Sequence, residues 1–528
     1  MTYRTPGVYF TETINPQFVS LTGSERVVTI IGQADRSKTI FNTAVVRGLT
    51  PDTADDVIPT GEITEIVGVG DYPGTYNYTK GLDYTLSSNR RGVDWAPTHQ
   101  KEPTAAATYY VTYKVAKIST NYVVGTYYSI SDVRADYGSE LYGGSIGEIP
   151  LAAYLAYQNG ATVVQIAQVN PTMYESYQTA GVSSADVSIP VASTADFAAT
   201  GKIKIEEEVI AYASKDATHF LGCTRAQDST AATAHGINTP LFSVLIAGVL
   251  ADDAALRAAY QTSLNLIKEV DTDVVVIMSS DLIIEEYLKS HIQSMSSPLE
   301  RKERIGIITC NTITDNVTSI TNQALSWAYN RFVMVVPSPM LITLTDTMTG
   351  AASQVTVPGT YPAAAVAGLL CNVNYAVSES ITRKDIAGFD DVGRVFLETE
   401  MNTMAAAGVT ILIRGSVTVR HGITTDPTNA NTSEISIVMI KDSVVKQLRQ
   451  LLDKTYIGGR IVPGTLNSIE LSVQTMLKQF IKYQIINDFK NIKATQDTSD
   501  PRIVDVTFDF EAIYPLIWMD VTYQLYVT

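Results

Sequence analysis

The sequence predicts an α/β (α+β) core, a mixed sheet with helices, which is interrupted by two β-rich inserted domains and carries extended N- and C-terminal β arms. Between residues 243 and 440, apolar runs typical of buried strands alternate with segments of helical periodicity, as in a parallel sheet. Residues 50–128 and 183–242 instead contain turn residues and short alternating runs rich in β-branched and aromatic residues. Both ends of the chain have extended patterns.

Charge and cysteine usage narrow the classes of function. The 54 acidic and 38 basic residues give a formal net charge of −16, which argues against coating DNA or RNA, because that role needs a basic face. The three cysteines, Cys223, Cys310 and Cys371, lie far apart and indicate a reducing compartment. The sequence has neither a basic-then-apolar leader nor an apolar run of about 18 residues. We therefore expect a soluble protein that is made in the cytoplasm and does not insert into a membrane.

Changes in composition divide the 528 residues into several segments, because one hydrophobic core rarely grows to that size. The predicted segments are an N-terminal extended arm (1–20), a first core segment (21–49), a β-rich insertion (50–128), a second core segment (129–182), a small β-rich insertion (183–242), a third core segment (243–502) and a C-terminal β arm (503–528).

Several elements of the core follow from their apolar patterns. Residues 27–32 (VVTIIG) and 273–278 (DVVVIM) are typical of buried strands, and residues 151–160 predict a helix that a glycine closes. We expect Asp442 to cap a helix. A longer helix is predicted over about 466–489, where apolar residues recur at helical spacing.

The two ends carry the most regular patterns. The N-terminal segment RTPGVYFTE predicts an extended arm, because proline disfavours helical geometry at and before its own position. At the other end, apolar and polar residues alternate over 504–510 and again over 517–527, which predicts two strands. The apolar positions used below are Val506, Phe508, Phe510, Ile517, Met519, Val521, Tyr523, Leu525 and Val527.

Three patterns resemble reactive sites but lack the necessary context. The GGSIG motif around Ser145 has G-x-S-x-G spacing, yet a polar, turn-like segment precedes it where a nucleophile elbow needs a buried strand. His219, Cys223 and His235 lack the spacing and the fourth ligand of a zinc site. The glutamates at 206–208 are most simply a solvated strand edge. We expect no catalytic residue, no metal and no cofactor.

The order of several segments resembles that of contractile phage tail sheath proteins. The segment RTPGVYFTE near the start is followed by VVTIIGQA, as in the opening arm and first core strand of that family. Residues 159–169, 405–426 and 434–459 are similar to the sheath core, and the two strands after a long helix match the family's ending. The two β-rich insertions depart from the family pattern.

This resemblance implies a structural subunit of a virion tail sheath, not an enzyme, which is made in the host cytoplasm. Such subunits form stacked hexameric rings around an inner tail tube, exchange terminal strands with neighbouring copies, and contract to drive the tube through the host cell envelope. The implied partners are other copies of the chain, the inner tail tube protein, and baseplate and tail terminator proteins, with no direct nucleic acid contact. The residues implied in the arms are Pro6, Gly7, Val8, Tyr9 and Phe10, with the C-terminal apolar positions given above.

Several alternatives stay open at this point. The sheath of a phage-derived contractile injection or secretion system has the same pattern, and the arms could also pair within their own subunit. An α/β hydrolase would use Ser145 as its nucleophile, and a receptor-binding β protein would use the tyrosine-rich insertion. In the helix predicted over 466–489, burial is the simplest role, and Lys478, Lys482 and Lys490 are candidates for facing the tube.

Overall fold

The structure is a computed structural model, and the description covers most of the chain. The described residues are 26–33, 37–48, 56–58, 63–87, 91–95, 101–116, 124–142, 145–169, 175–195, 197, 199–206, 208–227, 231–237, 239–244, 250–310, 316–347 and 350–524. The predicted N-terminal arm, with Pro6, Gly7, Val8, Tyr9 and Phe10, lies outside this set, as do Leu525 and Val527.

An eight-stranded mixed sheet forms the centre of the fold, and its six inner strands are parallel. The outer strand at each edge runs antiparallel to its neighbour. In spatial order the strands are Thr418–Val419, Val409–Ile413, Phe332–Val336, Ile305–Thr309, Val274–Ile277, Val27–Gln33, Val163–Val169 and Val124–Tyr127. The predicted strands at 27–32 and 273–278 are therefore confirmed as central elements of the fold.

Helices cover both faces of this sheet, which explains why its parallel strands are almost continuously apolar. The helices are α1 (Ile130–Tyr137), α2 (Glu148–Gln158), α3 (Leu250–Leu266), α4 (Leu282–Met295), α5 (Val317–Trp327), α6 (Thr360–Leu370), α7 (Glu398–Ala406), α8 (Ala430–Ser433), α9 (Ile435–Tyr456) and α10 (Pro463–Lys482). One face packs α1, α2, α6 and the start of α9 into an apolar cluster, and the other packs α3, α4, α5 and α7. No helix in the described part of the chain is long and apolar enough to cross a membrane.

Small β sheets surround the central one. In the first insertion, Ser37–Val46, Thr108–Ala116 and Ile63–Gly70 form one sheet, and Asp56–Val57, Gly92–Asp94 and Thr85–Leu86 form another. In the second, Glu175–Tyr177, Pro240–Val244, Gly201–Ile205, Glu208–Tyr212 and Thr224–Gln227 form a five-stranded sheet beside Ser188–Pro190, His219–Leu221 and Ser214–Lys215. The remaining pairings are Leu141–Tyr142 with Ser145–Ile146, Met340–Thr345 with Ala352–Val357 and Asp391–Val392, and Ile486–Gln496 with Val504–Ala512.

Strand pairing places two segments differently from the predicted segment boundaries. Ser37–Val46, which we expected in the first core segment, pairs with Thr108–Ala116 of the first insertion. Val124–Tyr127, which we expected in that insertion, pairs with Val163–Val169 at the edge of the central sheet. We therefore propose that the first insertion extends from about residue 34 to about residue 123, which keeps each sheet within one unit.

Both insertions leave the central sheet at the same edge. Val27–Gln33 and Val163–Val169 are parallel and in register, so the chain leaves each strand at the carboxyl end. The first insertion also returns there, because Val124 pairs with Ala167 in an antiparallel strand. This common edge explains how two insertions that are distant in sequence come into contact.

Helices α2 and α6 pack closely because Gly368 has no side chain. A Cβ atom at Gly368 would lie 2.2 Å from the carbonyl oxygen of Ala156. The position is buried within α6, so neither helix has free space into which it can move. This contact fixes the distance between the two helices on one face of the sheet.

The substitution Gly368→Ala is expected to destabilise the protein by about 1–3 kcal/mol through overpacking, although alanine normally favours a helix over glycine by about 1 kcal/mol. Thermal unfolding measures the effect. The matched control is Gly464→Ala in α10, where a Cβ atom meets nothing within 4 Å. The control should be neutral or stabilising, and equal losses in both variants would contradict the packing argument.

Candidate assembly surface

The C-terminal part of the chain has its own apolar core. This C-terminal unit, residues 444–512, comprises the second half of α9, all of α10 and the hairpin of Ile486–Gln496 with Val504–Ala512. Its buried cluster consists of Val444, Leu448, Leu452, Ile469, Val473, Leu477, Phe480, Ile485, Ile486 and Ala494. The cluster contains no residue of the central sheet, so the unit packs around itself.

Helix α10 is shorter than predicted. It ends at Lys482, and the chain turns at Gln484, whose φ of +57° lies in the left-handed region, before the strand Ile486–Gln496 begins. The helix predicted over 466–489 is therefore wrong in its last turns. Lys478 and Lys482 are exposed on the helix, whereas Lys490 lies opposite Asp509 in the hairpin. The three lysines do not form one helical face.

The first predicted C-terminal strand forms, and its partner lies within the same chain. Val504–Ala512 pairs antiparallel with Ile486–Gln496. Val506, Phe508 and Phe510 are half-buried and pack against the cluster of the C-terminal unit, so they belong to a folded hairpin and not to a free arm. Two strands make the whole of this sheet in the described part of the chain. A two-stranded sheet leaves an edge available on each side for a further strand.

The described part of the second predicted C-terminal strand, residues 517–524, does not form a strand. Residues 513–524, which we call the C-terminal arm, contain no strand. The arm is apolar and exposed: Leu516 and Trp518 are each 77% exposed, Val521 75% and Tyr523 83%. Met519 is also exposed, and Ile517 is intermediate. The arm thus has the alternating pattern of a strand without a strand to pair with among the described residues.

The start of the arm lies along its own core. The hydroxyl of Tyr514 hydrogen-bonds the side-chain oxygen of Asn431. The ring of Trp518 meets the ring of His421 edge-on, with centroids 5.8 Å apart. These contacts use ring edges and one hydroxyl, and they leave the apolar surface of Trp518 in solvent. They orient the arm without burying it.

The residues considered for catalysis do not assemble into a nucleophile site. Ser145 lies in the two-residue strand Ser145–Ile146, which pairs with Leu141–Tyr142 outside the central sheet. A nucleophile elbow needs a turn between a central strand and a helix, and Ser145 does not follow a central strand. Nothing in the arrangement of its backbone favours the hydrolase alternative.

The residues considered for metal binding are also dispersed. His219 bonds Asp216 at the surface, Cys223 contacts the carbonyl oxygen of Phe220, and His235 is buried elsewhere in the second insertion. In the described part of the chain, no group of three or more histidines, cysteines or acidic residues has an arrangement that could hold a metal ion.

The glutamates at 206–208 were expected at a solvated strand edge; this is wrong for Glu208, which is buried, and Glu207 lies outside the described residues. The chain turns at Glu206, which has a left-handed φ of +55°, between the paired strands Gly201–Ile205 and Glu208–Tyr212. Glu208 is buried, and its carboxylate accepts hydrogen bonds from Arg225 and lies 2.8 Å from the ring nitrogen Nε2 of His235.

This cluster also joins the two insertions. The carboxylate of Glu206 lies 3.0 Å from Nδ1 of His235 and forms an ion pair with Lys80 of the first insertion. Burial alone would raise the pKa of Glu208, but hydrogen bonds from Arg225, from the backbone of Thr233 and from His235 outweigh it and lower the pKa to about 2. Sequence alternation could not reveal this, because the partners lie far along the chain.

Two solved structures match the fold of this chain over nearly its whole length. The chain matches a chain of the cryo-EM structure of the anti-feeding prophage baseplate over 100% of both chains, with a TM-score of 0.50 and 10% identity. It also matches the contracted-state sheath complex of the PVC extracellular contractile injection system, over 99% of this chain and 98% of that one, with a TM-score of 0.50 and 8% identity. At these identities the likeness shows a shared fold, the mixed α/β class described above.

Relatives in sequence narrow this class. The tail sheath protein of Mycobacterium phage Bxz1 is 28% identical over 279 residues, which are 52% of this chain and 47% of that protein. The tail sheath protein of Bacillus phage SP01 is 24% identical over 245 residues, 45% of this chain and 41% of that protein. The matches thus span somewhat less than half the length of these curated relatives. A family model described as a domain of unknown function (DUF4815) matches residues 14–134. Both curated relatives are named tail sheath proteins, the family that the order of the sequence segments resembles.

Acid is expected to destabilise the second insertion. The pKa of Glu208 is lowered to about 2 in the folded chain, and an unfolded glutamate titrates near pH 4.3. A lowered pKa stabilises the fold above the unfolded value, so this stability should be lost as the pH falls from about 4.3 toward 2. Amide hydrogen exchange in Gly201–Ile205 and Glu208–Tyr212, compared between neutral and acidic solution, measures the loss.

The control for this prediction is Glu208→Gln, which cannot titrate. The variant should exchange faster at neutral pH, because the amide no longer pairs the charge of Arg225, and its exchange should depend less on acid. An unchanged acid dependence in the variant would show that other carboxyl groups govern the effect.

Proposed function

We propose that this chain is a structural subunit of a contractile tail sheath, which polymerises by donating its C-terminal arm to the hairpin sheet of another copy. The observation that carries the proposal is the coexistence, in the described part of one chain, of an unpaired apolar arm and a two-stranded sheet with free edges. The arm has no strand to pair with in the part of the chain that the structure describes, and the edges of the sheet have backbone groups available for another strand. The tail sheath names of the curated relatives support the same function.

The physical basis is strand addition at a sheet edge. A strand that joins an edge pairs its backbone N–H and C=O groups, while alternate side chains enter the neighbouring apolar surface. A two-stranded sheet alone is marginally stable, and a third strand strengthens it. The arm carries apolar side chains at alternate positions, Met519, Val521 and Tyr523 on one side, as such pairing requires.

An arm contributes to a lattice only if it pairs with the hairpin sheet of a second molecule. Pairing between copies passes from one subunit to the next, so the pairs link subunits into a continuous polymer. In the proposed sheath this polymer surrounds an inner tube, joins a baseplate and a terminator at its ends, and contracts by rearranging contacts between cores while the arms hold. The N-terminal arm, residues 1–20, is proposed to pair in the same way.

The two forms of contractile machine remain alternatives within this proposal. One fold neighbour is the sheath complex of an extracellular contractile injection system, and the relatives in sequence come from phages. In both cases the subunit would polymerise by the same arms, so the proposed mechanism does not depend on which machine the chain serves.

Ending the chain after Ala512 is expected to abolish polymerisation and leave a folded monomer. The cut removes the exposed arm and keeps the strand Val504–Ala512 with its partner. Negative-stain electron microscopy and sedimentation measure assembly, and circular dichroism measures folding. Tubes of normal appearance from the truncated chain would overturn the proposed strand donation. Deletion of residues 1–20 should have the same effect.

A point substitution distinguishes backbone strand pairing from nonspecific apolar association. Val521→Pro removes a backbone donor within the arm and should sharply reduce tube formation, because proline cannot complete a strand ladder. The matched control is Leu397→Ser, which removes an exposed apolar side chain outside the arm, 69% exposed. Light scattering during assembly measures both. Equal effects of the two substitutions would favour nonspecific apolar association.

A separate prediction concerns the lysines proposed to face the tube. Reversal of both helical charges, with Lys478→Glu and Lys482→Glu, should weaken co-assembly with the tube protein and leave the subunit folded, since both side chains are exposed. Lys101→Glu, which reverses the charge of an exposed lysine in the first insertion, is the control. Co-sedimentation with preformed tubes measures binding, and undiminished binding by the double variant would remove these lysines from the interface.

A further inference from the structure

The joint between the main core and the C-terminal unit is unusual because apolar clusters do not cross it. The main cluster includes α9 only as far as Ile440, and the cluster of the C-terminal unit begins at Val444. Helix α9 itself is continuous over 22 residues, about 33 Å at 1.5 Å per residue. One helix therefore belongs to two separately packed bodies.

A stripe of charged residues on α9 lies between the two bodies. Asp442, Lys446, Arg449 and Asp453 are spaced by four, three and four residues, which places them on one side of the helix. Each forms an ion pair with a residue of the main core. We call these four contacts the ion-pair ladder.

The first two ion pairs of the ladder along α9 are those of Asp442 and Lys446. Asp442 and Arg331 form a bidentate pair, with N–O distances of 2.6 and 2.7 Å. The ammonium of Lys446 lies 2.6 Å from a carboxylate oxygen of Asp273, whose carboxylate also accepts a hydrogen bond from the backbone N–H of Val27. Asp442 was expected to cap a helix, but it lies inside α9, and its partner is 111 residues away.

The other two pairs extend the ladder toward the end of the helix. Arg449 binds both carboxylate oxygens of Glu303, and it also donates to the backbone carbonyl of Arg301. The side chain of Arg301 lies 3.6 Å from Asp453. The core residues of the ladder immediately precede three adjacent parallel strands, so α9 lies across the amino-terminal edge of the sheet.

At two pairs of the ladder the charged form is favoured in spite of burial, whereas burial raises the pKa of Asp442 although the charge of Arg331 opposes it. Burial would raise the pKa of Glu303, but the hydrogen bond and the charge of Arg449 lower it. Burial would also lower the pKa of Lys446, but Asp273 and Asp271 raise it. Both groups are therefore charged at neutral pH. A cavity of about 40 Å³, whose lining includes Arg26, Asp273 and Lys446, lies beside the ladder, and it has room for water.

We propose that the ion-pair ladder is an electrostatic mount that sets the angle of the C-terminal unit on the main core. Because ion pairs need defined geometry and apolar clusters do not cross the joint, breaking the ladder would free the unit to tilt against the sheet as one folded body with α9, about the packed first turns of that helix. The unit carries the hairpin and the C-terminal arm, so the mount would set the direction in which the arm leaves the subunit. This last point rests on the proposed function, whereas the mount itself does not.

A charge-swap cycle at one pair tests the mount. Arg331→Asp and Asp442→Arg each place two like charges together, and the double variant restores an opposite pair in reversed order. Arg331 and Asp442 are suited to this because they bind each other in a bidentate pair. Lys384→Glu, which disrupts an ion pair with Glu379 within the main core, is the matched control.

The readout is a distance distribution between two spin labels on one chain, measured by pulsed electron paramagnetic resonance. Cysteines introduced at the exposed positions Thr403 in α7 and Lys493 in the hairpin carry the labels, because the native cysteines, Cys223, Cys310 and Cys371, are all buried. Labelled chain diluted into unlabelled chain excludes distances between molecules, so the result is independent of polymerisation.

The unchanged protein and the Lys384→Glu control should give one narrow peak. Each single reversal should lose that peak and give a broad distribution, and the double variant should regain it. High salt, at about 1 M where the Debye length is about 3 Å, should partly broaden the peak of the unchanged protein.

Amide hydrogen exchange in α10 distinguishes tilting from unfolding. Protection around Val473 and Leu477 should persist in the single variants, because the cluster of the C-terminal unit does not involve the ladder. A narrow peak in both single variants would overturn the proposal, as would loss of protection in α10 together with the peak. Broad peaks in the single variants, together with no tubes from the unchanged protein, would support the mount and contradict the proposed assembly.

Discussion

The position of the C-terminal unit depends on helix α9, because this helix is the element that two apolar cores share. Its first turns pack beneath the central sheet, and its last turns pack against α10 and the hairpin. A continuous helix transmits direction well, since bending it would break backbone hydrogen bonds. A helix alone does not determine its angle against the sheet. Contacts between its side chains and residues at the edge of the sheet determine that angle. The ladder of Asp442, Lys446 and their partners occupies this position.

Sequence patterns predicted the central sheet well and the polar contacts poorly. Val27–Gln33 and Val274–Ile277 are apolar on both faces, a local property that one short segment reveals. Glu208 and Asp442 acquire their roles from Arg225 and Arg331, and such pairing depends on the tertiary fold. The sequence therefore identifies a polar residue but does not reveal which residue it pairs with in the fold.

At the C-terminal end, too, the prediction from sequence depends on contacts that the sequence pattern does not reveal. Alternation over 504–510 and over 517–527 is equally regular, yet the first segment forms a strand and the described part of the second does not. The first has Ile486–Gln496 beside it, and strands need a neighbour to pair their backbone groups. The α10 boundary failed for a related reason, because the apolar residues after Lys482 suit a helix or a strand, and the left-handed Gln484 decides between them.

The common exit edge of the two insertions has a practical consequence for protein engineering. The chain leaves Gln33 and Val169 at the carboxyl edge of the sheet, whereas α9 lies across the amino edge, about 23 Å away along a seven-residue strand. A cargo domain fused within either insertion would thus be displayed on the side opposite the C-terminal hairpin. The Lys80–Glu206 contact adds a design rule, since replacing only one insertion would leave the other without its charged neighbour. The two are best exchanged as a pair.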